Sequence, residues 1–307
     1  MKILLCVDDD PVLAEVMAEL ESSVELSRRS EVLALHVVAQ SSLSLVGSDA
    51  PPAESGETLM ERVCERLSRL PVQVTRIVSK GDPAQEIVRI AESSCAELVV
   101  MGAMGERRDF LTGSVTHRVV TMAPTDVFVV RGRGADGARR GRQNFRALLA
   151  VDGSLGSEAG IDAFSRKLRA TCASIRVVHV VESTPTLWEV GREQRSFLQV
   201  LDSRASEVLA WAMESLERRG LEAESEWRRG NTAVQILEAA RETEADVIVV
   251  GSRGHSAIRE MVLGGITHRV LRHAPCNVLC ARGWAPESGA LSRRWMSEGW
   301  EPGAGMA

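Results

Sequence analysis

A glycine-rich segment in the second half of the chain has the spacing of a phosphate-binding loop. Gly251 and Gly254 follow a short β-branched run, and Gly264 and Gly265 come after nine further residues. Glycine permits positive φ and lets the backbone approach a ligand closely. A strand, such a loop and a helix that begins near Gly265 would direct backbone N–H groups at an anion. The spacing alone also fits glycines that only shape turns.

An aspartate follows the first apolar run of each half of the chain. Asp8 comes after residues 3–7, and Asp152 comes after residues 148–151. In an open parallel sheet, ligands bind beyond the carboxyl ends of the strands, where the strand order reverses. The first and fourth strands end side by side there. Each aspartate is therefore expected beside the glycine loop of its own half.

Six short motifs recur in the same order in both halves of the 307-residue chain. The paired motifs begin at Ile3 and Ala147, Leu35 and Val178, Gly81 and Gly230, Glu97 and Asp246, Thr116 and Thr267, and Ala123 and Ala274. The offset between the copies runs only from 143 to 151 residues. The chain is therefore interpreted as two copies of one domain.

Short apolar runs alternate with segments of helical period in both copies. The predicted strands are residues 3–7, 32–38, 72–78, 98–101, 127–130, 148–151, 175–181, 222–227, 247–250 and 278–281. Several of these runs are almost continuously apolar, which is typical of strands that are buried on both faces of a parallel sheet. Residues 83–92 and 233–243 have the period of helices. The alternation predicts an α/β fold with right-handed βαβ units and a doubly wound parallel sheet.

Composition and charge indicate which partners and which cellular compartment to expect. The net charge of −5 gives no positive field for nucleic acid or an anionic membrane. The first apolar run is too short for a signal sequence, and no later run reaches the length of a membrane span. The six scattered cysteines are expected to be reduced. These features predict a cytoplasmic protein without nucleic-acid or membrane partners.

Two further patterns are interpreted without a function. Residues 132–137 fit G-x-G-x-x-G, but no amphipathic helix follows them, and a dinucleotide fingerprint requires one. His273, Cys276 and Cys280 near the end of the second copy are opposite Met122, Thr125 and Val129 in the first. Because the ligand chemistry is not repeated, no metal site is predicted.

The ordered motifs resemble those of the universal stress protein family. In the second copy they are Val151-Asp152-Gly153-Ser154, the Gly230 turn, the G-x2-G-x9-G loop and Ala274-Pro275-Cys276-Asn277-Val278. The resemblance covers residues 1–131 and 146–282, leaving an Arg/Gly-rich linker at 132–145 and a tail at 283–307 that is expected to be poorly ordered. It implies two tandem adenine-nucleotide-alpha-hydrolase-like (Rossmann-like) domains, each with a five-stranded parallel sheet of order 3-2-1-4-5 and helices on both faces.

The resemblance also implies a site for ATP or a related adenine nucleotide, with or without Mg²⁺. In the second copy, the residues that match the family's binding motifs are Ala150, Val151, Asp152, Val180, Val250, Gly251, Gly254, Gly264, Gly265 and Ile266. In the first copy, they are Cys6, Val7, Asp8, Val37, Met101, Gly102, Gly105, Gly113, Ser114 and Val115.

Both copies depart from the family's loop pattern. The second has Gly265 where Ser or Thr is usual, and the first has only seven residues between Gly105 and Gly113. Losing one hydroxyl hydrogen bond to a charged group costs about 1.5–3 kcal/mol, and glycine keeps its backbone N–H. A loop that is two residues short misplaces several amides together. We therefore hypothesise that the second copy is the better nucleotide site.

The sequence leaves three functions open. The leading prediction is a stress-response regulator that binds an adenine nucleotide and has no catalytic residues. The alternatives are a nucleotide-free scaffold and a slow ATP hydrolase, for which Asp8 and Asp152 are the only evident acids. Family members commonly dimerise through the fifth strand. The resemblance thus implies that residues 127–130 and 278–281 pair antiparallel within one chain, and a homodimer remains open.

Overall fold

The computed structural model describes residues 1–8, 12–39, 56–103, 114–131, 145–168, 173–182, 193–252 and 264–282. The chain divides into two compact units, Met1–Gly137 and Ala138–Ala307. The predicted linker up to residue 144, and the predicted tail, lie outside the described residues.

The described part of the first unit alternates strands and helices. In chain order the elements are β1 (Lys2–Val7), α1 (Leu13–Ser23), β2 (Ser30–Ala39), α2 (Gly56–Leu67), β3 (Val72–Gly81), α3 (Pro83–Ser93), β4 (Leu98–Gly102), α4 (Ser114–Met122) and β5 (Asp126–Val130). Parallel pairs join β3 to β2, β2 to β1, β1 to β4 and β4 to β5. The sheet order is therefore 3-2-1-4-5, as predicted.

The second unit repeats this topology. Its described elements are β6 (Phe145–Ala150), α5 (Leu155–Lys167), β7 (Ala173–Val181), α6 (Glu193–Glu217), β8 (Ala223–Arg229), α7 (Thr232–Glu242), β9 (Val247–Gly251), α8 (Gly265–His273) and β10 (Asn277–Ala281). The parallel order is β8-β7-β6-β9-β10, which is the same arrangement as in the first unit. β6 begins three residues earlier than predicted, at Phe145, and ends at Ala150.

Burial follows position in each sheet. Strands β4, β5, β9 and β10 are buried along almost their whole length. The outer strands β3 and β8 instead mix half-buried and exposed residues. The continuous apolar runs in the sequence therefore belong to strands covered on both faces, as expected for a parallel sheet.

The helices that start beside the outer strands share one capping design. Gly81 and Gly230 have φ of +148° and +139°, a conformation that side chains disfavour. The next residues, Asp82 and Asn231, cap α3 and α7 by accepting a hydrogen bond from a backbone N–H of the first turn. Pro83 occupies the first turn of α3, where its missing N–H has no cost.

Within the described ranges, no helix is long and apolar enough to cross a membrane.

Candidate functional site

A cavity of about 230 Å³ opens at the carboxyl ends of β1 and β4 in the first unit. Every described residue that the sequence motifs predicted for this unit lines it: Cys6, Val7, Asp8, Val37, Met101, Gly102, Ser114 and Val115. Gly105 and Gly113 lie outside the described residues. The strand order explains this convergence, because it reverses between β1 and β4 and leaves a cleft at their carboxyl ends.

Two helices complete the cavity wall with residues that the sequence motifs did not identify. Val12, Leu13 and Val16 come from the start of α1, and Pro83 and Ile87 come from the start of α3. Each set has helical spacing, but the sequence does not say which helix face meets the sheet. Among the described lining residues, Asp8 carries the only charge. The cavity is thus mainly apolar, with one carboxylate and the hydroxyl groups of α4.

Cys6, one of the lining residues, carries a thiol in an environment that opposes ionisation. Burial raises the pKa of the Cys6 thiol to about 12, and the Asp8 carboxylate adds to the shift. Cys6 is therefore a neutral, weakly polar surface at physiological pH. Its counterpart in the second unit is Ala150.

A histidine near the end of the second strand holds the end of the first strand in both units. The Nδ1 atom of His36 lies 3.0 Å from the carbonyl oxygen of Val7, and that of His179 lies 2.8 Å from the carbonyl oxygen of Val151. Because a carbonyl only accepts, Nδ1 carries the proton. Both rings are half-buried. The carboxyl ends of β1 and β6 are thereby fixed beside the candidate sites.

Asp152 organises the start of α5 in the second unit. Its Oδ1 accepts hydrogen bonds from the backbone N–H of Ser154 at 3.0 Å and from the Ser157 hydroxyl at 2.6 Å. The Ser157 oxygen in turn accepts from the backbone N–H of Asp152 at 2.8 Å. Gly153 bends the chain between them with a φ of +80°. One carboxylate oxygen of Asp152 is therefore committed to structure.

The start of α8 is held against the end of β9. The Thr267 hydroxyl donates to the carbonyl of Gly251 at 2.7 Å, and the Gly264 N–H donates to the carbonyl of Ser252 at 3.1 Å. Thr116 and Gly102 form the matching bond in the first unit at 3.0 Å. These bonds bring the two ends of each glycine loop together.

The exposed first turn of α8 offers polar groups at this rim. The first N–H groups of a helix have no acceptor within the helix. In α8 these groups belong to residues that include Gly265 and Ile266, and both residues are exposed. Among the described residues, a Cβ atom on Gly265 would meet no atom within 4 Å. Residues 253–263, including Gly254, lie outside the described residues.

Comparison with known proteins identifies the family. The model of the universal stress protein family matches residues 1–131 and residues 144–282. The chain belongs to the universal stress protein family. The two matches correspond to the two units, so this is a tandem universal stress protein with two domains.

Individual relatives agree with this assignment. The universal stress protein YxiE of Bacillus subtilis is 31% identical over 145 residues, which are 45% of this chain and 98% of the relative. A Thermus aquaticus protein described as a universal stress protein in the QAH/OAS sulfhydrylase 3′ region is 32% identical over 136 residues, 44% of this chain and 96% of the relative. Each of these relatives has about the length of one domain here.

A solved structure shares the fold of the tandem chain. The crystal structure of a universal stress protein from Archaeoglobus fulgidus DSM 4304 covers 92% of this chain and 96% of its own, with a TM-score of 0.60. The sequences are 20% identical, so the similarity establishes the fold alone.

The described members of the predicted set in the second universal stress domain lie at its carboxyl rim. Ala150, Val151 and Asp152 follow one another at the end of β6, and Val180 lies near the end of β7. The others are at the end of β9 and the start of α8, namely Val250, Gly251, Gly264, Gly265 and Ile266. The topology therefore brings the described members of the predicted set to one edge of the sheet.

The two domains differ in how their first helix meets the sheet. α5 carries glycines at positions 156 and 160, where the first domain has Val12 just before α1 and Val16 within it. A Cβ atom on Gly160 would lie 3.5 Å from the Cγ1 atom of Val249, in ordinary contact. The small residues let α5 lie close to β9. The rims of the two domains are thus related in topology but differ in local shape.

Proposed function

We propose that this tandem universal stress protein binds ATP or a related adenine nucleotide at the carboxyl rims of its domains and acts as a stress-response regulator through the bound state. The observation that carries the proposal is the cavity of the first domain. Eight predicted binding residues from four separate segments line that one space. Such convergence is expected of a binding site, because residues far apart in sequence meet there.

The chemistry of the cavity suits a nucleoside. Apolar side chains such as Val37, Met101 and Ile87 offer surfaces for a flat purine ring. The exposed Asp8 carboxylate is an acceptor for ribose hydroxyl groups. The start of α4, at Ser114, offers its hydroxyl and backbone N–H groups to a phosphate.

We further propose that the second domain binds the nucleotide more tightly. Its glycine loop has the full nine-residue spacing, and the open position at Gly265 leaves the first turn of α8 accessible. The proposed contacts are Ala150, Val151, Asp152, Val180, Val250, Gly251, Gly254, Gly264, Gly265 and Ile266. The first-domain residues named above, together with Gly105 and Gly113, form the weaker site.

No described residue is assigned a catalytic role, so the proposed mechanism is binding. A nucleotide that contacts both the β6 end and the start of α8 would hold these segments together and change the surface offered to a partner.

We also propose that β5 and β10 pair antiparallel within one chain. Each is the last strand of its own domain's sheet, and an unpaired apolar edge promotes aggregation.

Matched substitutions at the two rims test the proposal. Gly265→Asp and Ser114→Asp each place a carboxylate at the first position of a helix, where an acidic residue stabilises the helix. Both variants should fold, and both should repel phosphate. Calorimetric titration of the full chain with ATP should show the larger loss of affinity in Gly265→Asp.

The other outcomes decide between the alternatives. A larger loss in Ser114→Asp would make the first domain the main site. No binding of ATP, ADP, AMP or adenosine by the unaltered chain would reject the proposal and favour a scaffold. Phosphate release above background that disappears in Asp152→Ala would instead indicate an ATP hydrolase.

A further inference from the structure

The caps of α3 and α7 have the same structural role but differ by one charge. In the first domain, the Oδ1 atom of Asp82 accepts from the backbone N–H of Gln85 at 2.9 Å. In the second, the Oδ1 atom of Asn231 accepts from the backbone N–H of Val234 at 3.2 Å. Both caps follow a glycine with positive φ and stand at the carboxyl rim of their domain. The exchange of Asp for Asn is therefore a difference of charge at matched positions.

In the first domain, the second cap oxygen neutralises an arginine. Arg118 on α4 donates from Nη1 to the Oδ2 atom of Asp82 at 2.8 Å. The hydrogen bond from Arg118 is the main reason why the pKa of the Asp82 carboxyl is lowered. Pro83 directly follows Asp82, and Thr116 lies two residues before Arg118. Both Pro83 and Thr116 line the cavity. The ion pair thus lies at the edge of the first site, and its two charges cancel there.

In the second domain, the same arginine lacks this acid. Arg269 matches Arg118, because Thr267-His268-Arg269 repeats Thr116-His117-Arg118. The Asn231 oxygen is used by the helix cap, and its remaining polar group is an NH₂ donor that a guanidinium cannot bind.

The surroundings of Arg269 leave its positive charge exposed. Among the residues that the structure describes, no carboxylate lies within ion-pair distance of Arg269. The side chain is exposed. Glu182, the acid at the end of β7, accepts instead from the Thr232 hydroxyl at 3.1 Å.

We propose that Arg269 binds the phosphate chain of the second-domain ligand, and that the Asp82/Asn231 difference sets the ligand class of each domain. A guanidinium with an adjacent amide donor favours a polyphosphate, since arginine binds phosphate oxygens through paired hydrogen bonds. The first domain, where Asp82 cancels the matching charge, accepts nucleosides or nucleotides with fewer phosphates. The nucleotide part of this inference rests on the proposed function.

Charge exchange at the two caps tests the inference in the full chain. Asn231→Asp supplies the missing acid in the second domain, and Asp82→Asn removes it from the first. Asn and Asp are nearly equivalent helix caps, so both variants should keep the fold. The probes are ATP, adenosine and inorganic tripolyphosphate, titrated by calorimetry. The backbone amide NMR signals of Gly265 and Ser114 assign binding to the second and first domains.

The expected pattern is specific to phosphate. Asn231→Asp should weaken ATP and tripolyphosphate binding at the second domain about three- to tenfold, and should leave adenosine binding unchanged. Asp82→Asn should strengthen ATP binding at the first domain by a similar factor. Arg269→Gln should reproduce the loss, and combining it with Asn231→Asp should weaken ATP and tripolyphosphate further, because the new carboxylate then has no arginine to neutralise it and repels phosphate.

The remaining outcomes separate this inference from the proposed function. If ATP binds and neither Asn231→Asp nor Arg269→Gln changes its affinity, the role of Arg269 is overturned while nucleotide binding stands. If tripolyphosphate binds and is lost in these variants but adenine nucleotides do not bind, Arg269 is an anion site and the proposed function fails. If no probe binds, both are overturned.

Discussion

Gly156 lies directly against Gly251 in the second domain. A Cβ atom on Gly251 would come within 2.6 Å of the carbonyl carbon of Gly156, closer than real Cβ contacts allow. At the matching place in the first domain, a Cβ atom on Gly102 would meet the side chain of Val12 at 3.7 Å, an ordinary contact. The same strand end therefore packs against backbone in one domain and against a side chain in the other.

This contact predicts that alanine has unequal effects at the two glycines. Gly251→Ala should lower the free energy of unfolding by about 1–3 kcal/mol, because the backbone of α5 has to move away. Gly102→Ala should change it by no more than about 0.5 kcal/mol. Urea unfolding followed by circular dichroism measures both values. Equal effects would mean that α5 and β9 are not in close backbone contact.

The hydrogen bonds between Ser157 and Asp152 predict a second stability effect. The Ser157 side chain is buried, and Ser157→Ala removes both the donor to the Asp152 carboxylate and the acceptor for the Asp152 N–H. The expected loss in the free energy of unfolding is about 1–3 kcal/mol, because one partner is a charged group. Ser206→Ala is the control, since the exposed Ser206 hydroxyl bonds only a carbonyl of its own helix. A loss in Ser157→Ala no greater than in Ser206→Ala would contradict the role of this pair.

Glu86 predicts a pH dependence of stability in the first domain. Hydrogen bonds from Arg89, and next from Ser79, lower the pKa of the Glu86 carboxyl from 4.5 to about 2. Since the pKa is lower in the folded state, the ionised carboxylate stabilises the fold above pH 4.5, and this stabilisation is lost as the pH falls from 4.5 towards 2.

The Glu86 effect is measurable by comparing variants across pH. The difference in unfolding free energy between the unaltered chain and Glu86→Gln should be largest above pH 5 and should shrink towards pH 2, following the lowered pKa of about 2. Ser79→Ala should show part of the same trend, because it removes one of the two stabilising donors. A difference that stays constant over this range would show that Glu86 is not held by these bonds.

The cysteines predict a clear order of reactivity. Because burial raises the pKa of the Cys6 thiol to about 12, this thiol stays protonated at pH 8 and reacts slowly. Cys95 is exposed, and its backbone φ is +53°. Mass spectrometry after iodoacetamide treatment should find Cys95 modified well before Cys6. Comparable rates would show that the surroundings of Cys6 are more open and more polar than the raised pKa of its thiol indicates.

Much of the fold was predictable because it depends on local patterns. Continuous apolar runs such as 127–130 and 247–250 are typical of covered strands, and their alternation with helical segments leaves few topologies. Because the chain is duplicated, each pattern occurs in both halves and supports the same topology twice. All ten predicted strands are present, with ends shifted by up to three residues. Strand ends shift because they depend on hydrogen bonds to neighbours rather than on the residues themselves, as at Phe145.

The site was predictable only in part. The motifs pointed to Asp8, Met101 and Ser114, which lie at strand or helix ends, and such ends meet wherever a parallel sheet reverses its order. They did not point to Leu13 or Ile87, because many helix faces have the same apolar spacing and only packing selects the one that lines the cavity. The order of affinity between the domains remains a prediction.

The sequence by itself determined a duplicated α/β chain with glycine loops and aspartates at matched positions, because period and repetition are properties of the order of residues. Only the tertiary structure decided that Gly156 meets Gly251 and that Arg118 finds Asp82 while Arg269 finds no such acid at Asn231. These contacts join residues that are distant in sequence. Their distances are set by how closely each helix packs on its sheet, and no local pattern records that closeness.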